Sequence, residues 1–267
     1  MSDIVLKDVS FSYPGGFLAV DHINMMIKSG ENIAIVGQNG AGKTTTVKMM
    51  NGLLKPTEGD VLIGEMNTKD YTTAQVSRVV GYVFQNPDDQ IFHSTVEAEV
   101  SYGPKTMKLD SEEAERRVAE ALAITGMTNY KDENPMNLPL SMRKFVTIAA
   151  VIAMGTEVLI FDEPTAGQDM EGNKRLSAIL KTLHEQGKTV ITISHDMEFV
   201  AANFEKVIVM ATKHVVRIGT PEEIFWDFPT LKKAMLKQPY VSKVCNALGI
   251  KENIIDIECA VERIMNS

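Results

Sequence analysis

Apolar and polar positions alternate through the first thirty residues, then the apolar ones gather into short solid runs. The alternation in "MSDIVLKDVSFSY" predicts a strand, and "INMMIK" and "NIAIVG" follow as short apolar strands. "GKTTTVKMMNGLL" has helical periodicity from Thr46 to Leu54 and is expected to stop near Gly52 and Pro56. "GDVLIG" and "RVVGYVF" read as further strands. From about Pro87 to Met154 the pattern turns helical, with "SEEAERRVAEALAITG" opening on Ser111 and stopping at Gly126. Solid apolar runs return in "TEVLIFDEP" and "KTVITISHD", separated by the helical "EGNKRLSAILKTLHEQG". That β–α–β order predicts parallel strands joined by crossover helices. "KVIVM" and "HVVRIG" should form a hairpin, and the tail after Pro221 reads as two or three helices.

Composition narrows the class without changing this outline. A chain of 267 residues suits one large α/β domain with an appendage. A net charge of −8 argues against a nucleic-acid or anionic-lipid surface spread over the molecule. Cys245 and Cys259 lack metal-type spacing, so a reduced setting is expected, with both thiols as small core residues. No basic-then-apolar leader is visible, and the longest apolar runs are too short to cross a bilayer. Work at a membrane would therefore require docking onto another protein. His22, His93, His184 and His214 show no ligand spacing, and the sixteen methionines read as packing.

Chemistry enters with "GQNGAGKT", Gly37 to Thr44, which fits G-x-x-x-x-G-K-[ST] between an apolar strand and a helix. The backbone of Gly37, Gln38, Asn39, Gly40, Ala41 and Gly42 can turn N–H groups toward phosphate oxygens, aided by the helix dipole. Lys43 would reach the β- and γ-phosphates of ATP, the Thr44 hydroxyl would ligate Mg²⁺, and Thr45 follows in the same turn. In "VLIFDEP", Asp162 emerges at a strand's C-terminal end, where it can hold Mg²⁺ beside Thr44. Glu163 is then placed to take a proton from an attacking water.

With these motifs in order, residues 2 to 220 resemble the ATPase subunits of ABC transporters. The resemblance implies an α/β P-loop NTPase of ABC ATPase type: a RecA-like core with an antiparallel β subdomain and an α-helical subdomain at about 87–154. A helical extension would follow over 221–267. It further implies that Tyr13 in "FSYPGG" stacks on adenine and that Gln85 in "VFQNPDDQIF" touches Mg²⁺ and the attacking water. By the same resemblance His195 in "ITISHD" contacts the γ-phosphate, and Asp169 in "AGQD" lies at a dimer interface. "VFQNPDDQIFHSTVEAEVSYGP", "SHDMEFV" and "GTPEEIF" resemble the ATPases of energy-coupling factor (ECF) importers and the similar cobalt and nickel uptake ATPases. That group implies an ATPase dimer on the cytoplasmic face of the cell membrane, peripheral to a transmembrane coupling protein. The coupling protein in turn carries substrate-binding membrane subunits for vitamins or metal ions. Asp88 and Asp89 are candidates to meet basic residues of coupling helices, and the C-terminal extension is a candidate dimerisation element. Nucleic acid is not an expected partner. A soluble ABC protein of translation or repair would need two ATPase domains or a long coiled-coil insertion, and neither is seen. A nucleotide-binding subunit without turnover is the remaining alternative.

One segment departs from the family. Against LSGGQ, "NLPLSMRKFVTIA" aligns Leu138 with the leucine, Pro139 with the serine, Leu140 and Ser141 with the glycines and Met142 with the glutamine. A two-residue deletion, with Ser141 at the serine, is the other register. The glycine pair is absent either way, and with it close approach of backbone N–H groups to phosphate. This segment serves the ATP bound on the partner's phosphate loop, so the expectation is a heterodimer with one hydrolytically competent and one impaired site.

Overall fold

Two sheets organise the chain, and the alternation of side chains across the larger one decides what packs where. The computed structural model describes residues 2–250 and 253–265. Its first part runs β1 (Ile4–Ser12), β2 (Leu18–Ile27), β3 (Asn32–Val36), α1 (Lys43–Met50), β4 (Glu58–Ile63), β5 (Met66–Asn67), α2 (Thr73–Val76) and β6 (Val80–Val83). Next come α3 (Val96–Thr106), α4 (Ser111–Thr125) and α5 (Leu140–Ala153). The core then resumes with β7 (Val158–Asp162), α6 (Met170–Glu185), β8 (Thr189–Ile193), α7 (Met197–Asn203), β9 (Lys206–Ala211) and β10 (His214–Gly219). Helices α8 (Pro221–Phe225), α9 (Phe228–Ala234), α10 (Tyr240–Ala247) and α11 (Ile257–Met265) close the described chain.

The smaller sheet is antiparallel, in the order β2-β1-β4-β5. The larger runs β10-β9-β3-β8-β7-β6, parallel throughout except for the β9–β10 hairpin. Strands β3, β7 and β8 are buried at every position, as their unbroken apolar runs require. Period two sorts their side chains between two layers. Ala34, Val36, Leu159 and Phe161 join the helices of α3 to α9 in one core. Ile33, Ile35, Val158 and Ile160 face α1 and the antiparallel sheet in another. A one-residue slip would reverse this assignment, so the register is strongly fixed. One consequence matters for function: the C-terminal ends of β3, β6, β7 and β8 all open on the same edge.

Several boundaries differ from the sequence reading. Helix α1 begins at Lys43 rather than Thr46, because Gly42, at φ 99, turns the chain directly into it. It ends at Met50, where Asn51 caps it and Gly52 follows at φ 75. Asp110, not Ser111, caps α4 by accepting from Glu113 N; Gly126 does end that helix, at φ 70. The tail holds four helices among the described residues, because Asp227 and Thr220 supply extra caps and Met235 breaks the chain at φ 53. The expected extension over 221–267 divides in two. Ile224, Phe225, Leu231 and Ala234 belong to the main core, whereas α10 and α11 build a small core around Cys245, Ile254 and Ala260. Its residues 251–252 and 266–267 lie outside the described ones. Cys245 is buried as expected, but Cys259 is exposed, and both are free. No described helix is long and apolar enough to cross a membrane.

Candidate functional site

The loops leaving the shared sheet edge converge on one cavity of about 180 Å³. Residues Asn39 to Thr45 line it from the β3–α1 loop, Gln85 from the end of β6, Glu163 from β7 and His195 from β8. A larger cavity of about 890 Å³ lies between α3 and α4, away from these groups.

The loop's course depends on glycine. A Cβ on Gly37, at φ 152, would sit 2.1 Å from the Met210 carbonyl oxygen, and one on Gly42 would sit 2.7 Å from that of Ala19. No side chain fits at either position. The turn leaves Lys43 buried, its Nζ donating to Gly37 O at 2.7 Å and Gln38 O at 3.1 Å. Burial pushes this ammonium below its ordinary pKa, opposed by the Glu163 and Asp162 carboxylates.

Asp162 and Glu163 are adjacent in sequence but face different tasks. Asp162 Oδ1 lies 3.4 Å from Thr44 Oγ1, while Oδ2 accepts from the Tyr82 hydroxyl at 2.7 Å. Burial and the Asp162 charge hold that phenol protonated, its pKa well above the usual value. Glu163 sits at φ 53, a left-handed conformation that costs a non-glycine residue about 1–3 kcal/mol. Its N–H donates to Ile193 O at 3.0 Å, and its own carbonyl accepts from Lys144 Nζ at 2.8 Å. Burial, with the neighbouring Asp162 charge, pushes the Glu163 carboxyl up to about 7 against the pull of Lys43.

His195 Nε2 stands 3.0 Å from Glu163 Oε1 and 3.3 Å from Lys43 Nζ. One nitrogen cannot donate to the carboxylate and accept from the ammonium at once. The tautomer of His195 therefore decides which of the two it serves. Burial and the Lys43 charge push the imidazole pKa down, which favours the neutral ring.

The remaining expected residues fall into two groups. Tyr13 reaches the loop, its hydroxyl 3.1 Å from Thr45 Oγ1 and its ring edge-to-face with Phe11. Ser141 and Asp169 do not line the cavity. Asp169 caps α6 by accepting from Gly172 N at 2.7 Å, and Ser141 lies in the first turn of α5, its carbonyl bonded by Gln168 Nε2 at 3.0 Å. Asp88, its side chain 43% exposed, accepts from Arg143 at 2.9 Å within the chain. Arg143 also donates to the carbonyls of Leu138 and Met136, both at 2.9 Å, which holds the turn before α5. The sequence reading passed over Tyr82, Arg143 and Lys144. Lys144 carries one signal, a charge at the edge of the apolar run that follows it.

No group of three or more His, Cys, Asp or Glu among the described residues is arranged to hold a metal by itself. The oxygens of Thr44 and Asp162 suit Mg²⁺ instead, which takes one or two protein ligands alongside substrate phosphates.

Comparison with known proteins agrees with this geometry. Residues 20–166 match the family model described as ABC transporter. The chain is 41% identical to the energy-coupling factor transporter ATP-binding protein EcfA of Methanocaldococcus jannaschii, over 93% of this chain and 90% of that protein. It is 39% identical to the EcfA of Methanothermobacter thermautotrophicus, over 97% and 84%. Among solved structures, cbiO1 from Clostridium perfringens, part of the ABC transporter complex cbiONQ, superposes with a TM-score of 0.78 at 35% identity, covering 91% of this chain and 98% of that one. The dimeric ATP-binding cassette MJ0796 bound to ADP and Pi gives a TM-score of 0.74 at 28% identity, over 82% and 98%. The phosphate loop, the paired acids and the relatives agree, and the chain belongs to the ABC transporter family of ATP-binding proteins.

Proposed function

We propose that this chain is the ATP-hydrolysing subunit of an ECF-type importer, paired with an unlike ATPase subunit beneath a transmembrane coupling protein on the cytoplasmic face of the membrane. The observation that carries the reading is the meeting of Lys43, Glu163 and His195 at the mouth of the phosphate loop. The loop N–H groups and Lys43 bind the β- and γ-phosphates of ATP, and Tyr13 supports the adenine. Mg²⁺, held by Thr44 and Asp162 with Gln85 beside them, would offset phosphate charge. Ionised Glu163 takes a proton from the water that attacks the γ-phosphorus in line, and Lys43 stabilises the charge that develops. Neutral His195 orients Glu163 and the leaving phosphate.

The start of α5 supports the unequal dimer. Pro139 occupies the cap position and supplies no side-chain cap. The next residue, Leu140, presents an apolar side chain that is 50% exposed where the family has glycine. An opposing nucleotide would meet no glycine backbone there, and Ser141 offers the one hydroxyl of that turn. The exposed apolar residues of α11 support a dimerisation role for the C-terminal segment.

Affinity purification of the tagged chain from membranes, with mass spectrometry of its companions, tests the assembly. The expected companions are a second ATPase, a coupling protein and a substrate-binding membrane subunit for a vitamin or similar micronutrient. Recovery of a metal-uptake membrane subunit would support the cobalt or nickel importer instead. Recovery of the chain only with copies of itself would overturn the heterodimer.

A further inference from the structure

Lys144 stands beneath the site without a part in the reaction outlined above. It lies in the second turn of α5 and is 4% exposed. Its ammonium donates to the carbonyls of Glu163 at 2.8 Å and Ala166 at 2.7 Å, and so grips both ends of one turn. Burying a charge is costly, and its two close partners are neutral carbonyls rather than carboxylates. A Met or Leu would fill this buried position without that cost. The charge is therefore explained by the turn it holds rather than by core packing.

That turn needs holding. Glu163 sits in a left-handed conformation at φ 53, which persists only where the surroundings over-determine it. The bond from Glu163 N to Ile193 O fixes the side nearer β7. Beyond it, the bond from Ala166 N to Glu163 O is long at 3.3 Å and Thr165 Oγ1 lies 3.4 Å from Ser194 Oγ, so the two bonds from Lys144 are the shortest that hold the turn. A second strap runs the same way, from Gln168 Nε2 to Ser141 O at 3.0 Å. The catalytic turn and the first turns of α5 are thus joined as one piece.

We propose that Lys144 is a positioning residue: it holds the Glu163–Ala166 turn against the start of α5 and so fixes the Glu163 carboxylate beside His195. This rests on the reading of Glu163 as general base. It also makes α5, whose first turn faces the partner's nucleotide in the proposed dimer, move with its own subunit's catalytic turn.

Lys144→Met in the assembled complex tests it, by kcat, KM for ATP and nucleotide affinity. A small displacement of a catalytic group lowers turnover more than binding, so kcat should fall about tenfold or more while ATP affinity changes less than about threefold. Lys144→Gln, which offers a shorter neutral donor, should fall between Met and Lys. Wild-type kcat in Lys144→Met, or a loss of ATP affinity in step with kcat, would overturn the proposal. If the Met variant does not fold, Lys144→Gln takes its place, with a drop of about threefold or more expected; full kcat in it is equally fatal. Glu163→Gln, run in parallel, separates the two levels. If that variant turns over normally, the role of Glu163 itself fails. If Glu163→Gln is inactive and Lys144→Met is not, only the positioning role does.

Discussion

Glu163 is asked for opposite things by its chemistry and its surroundings. A general base must be ionised, yet burial favours the protonated carboxyl and raises its pKa from 4.5 to about 7. The folded protein therefore keeps this proton until about pH 7, whereas the unfolded chain releases it near 4.5. Between those values the native state binds more protons, so this group's contribution to stability falls as pH rises through the window. Above it, the ionised carboxylate is a standing cost. Glu163→Gln should raise the melting temperature of the nucleotide-free subunit more at about pH 8 than at about pH 5.5, read by calorimetry. An equal gain at both would contradict the burial argument. The identity of this residue was legible in the sequence, because the phosphate loop and the strand-end acids obey spacings that chemistry dictates. Tyr82, which hydrogen-bonds Asp162 from eighty positions away, was not. It meets Asp162 only because β6 lies beside β7 in parallel register, with Tyr82 opposite Ile160.

At the scale of elements, helix α5 links the subunit's two duties. Its second turn grips the catalytic turn through Lys144, and its first turn holds Leu140 and Ser141, which in the proposed dimer face the opposing nucleotide. Pro139 contributes no N–H and no hydroxyl, so this helix start is a poor anion site despite its dipole. Replacing Pro139, Leu140 and Ser141 by Ser, Gly and Gly should restore close backbone approach and raise ATP turnover of the assembled complex toward a two-site rate. Unchanged turnover, with the variant folded, would mean that the segment does not limit the second site. Strands and helices were readable here from apolar periodicity, but their ends were less so. Helix α1 started three residues early because a glycine in the left-handed region can serve as a cap, which periodicity does not register. The register of the degenerate segment was open in the sequence, since alignment alone cannot weigh a deletion against substitutions.

At the scale of the molecule, two cores meet at one sheet, and a third, smaller core hangs from the C-terminal side. That last unit is too small to bury the apolar residues it carries. Ile257, Val261 and Ile264 of α11, at helical spacing, remain 66%, 48% and 43% exposed. Val261→Asp should weaken dimerisation by about tenfold or more without altering nucleotide binding, as measured by sedimentation and by fluorescent nucleotide titration. Unaltered association would remove α11 from the dimer contact. The central claim is that this subunit supplies the competent catalytic carboxylate of an unequal pair. Its most direct test is the steady-state ATPase rate of the assembled transporter carrying Glu163→Gln in this chain alone, set against the matching change in the partner alone. Loss of the base here should reduce turnover by about a hundredfold or more, while the change in the partner leaves most of it intact. Equal losses from either subunit, or turnover that survives Glu163→Gln, would contradict the account.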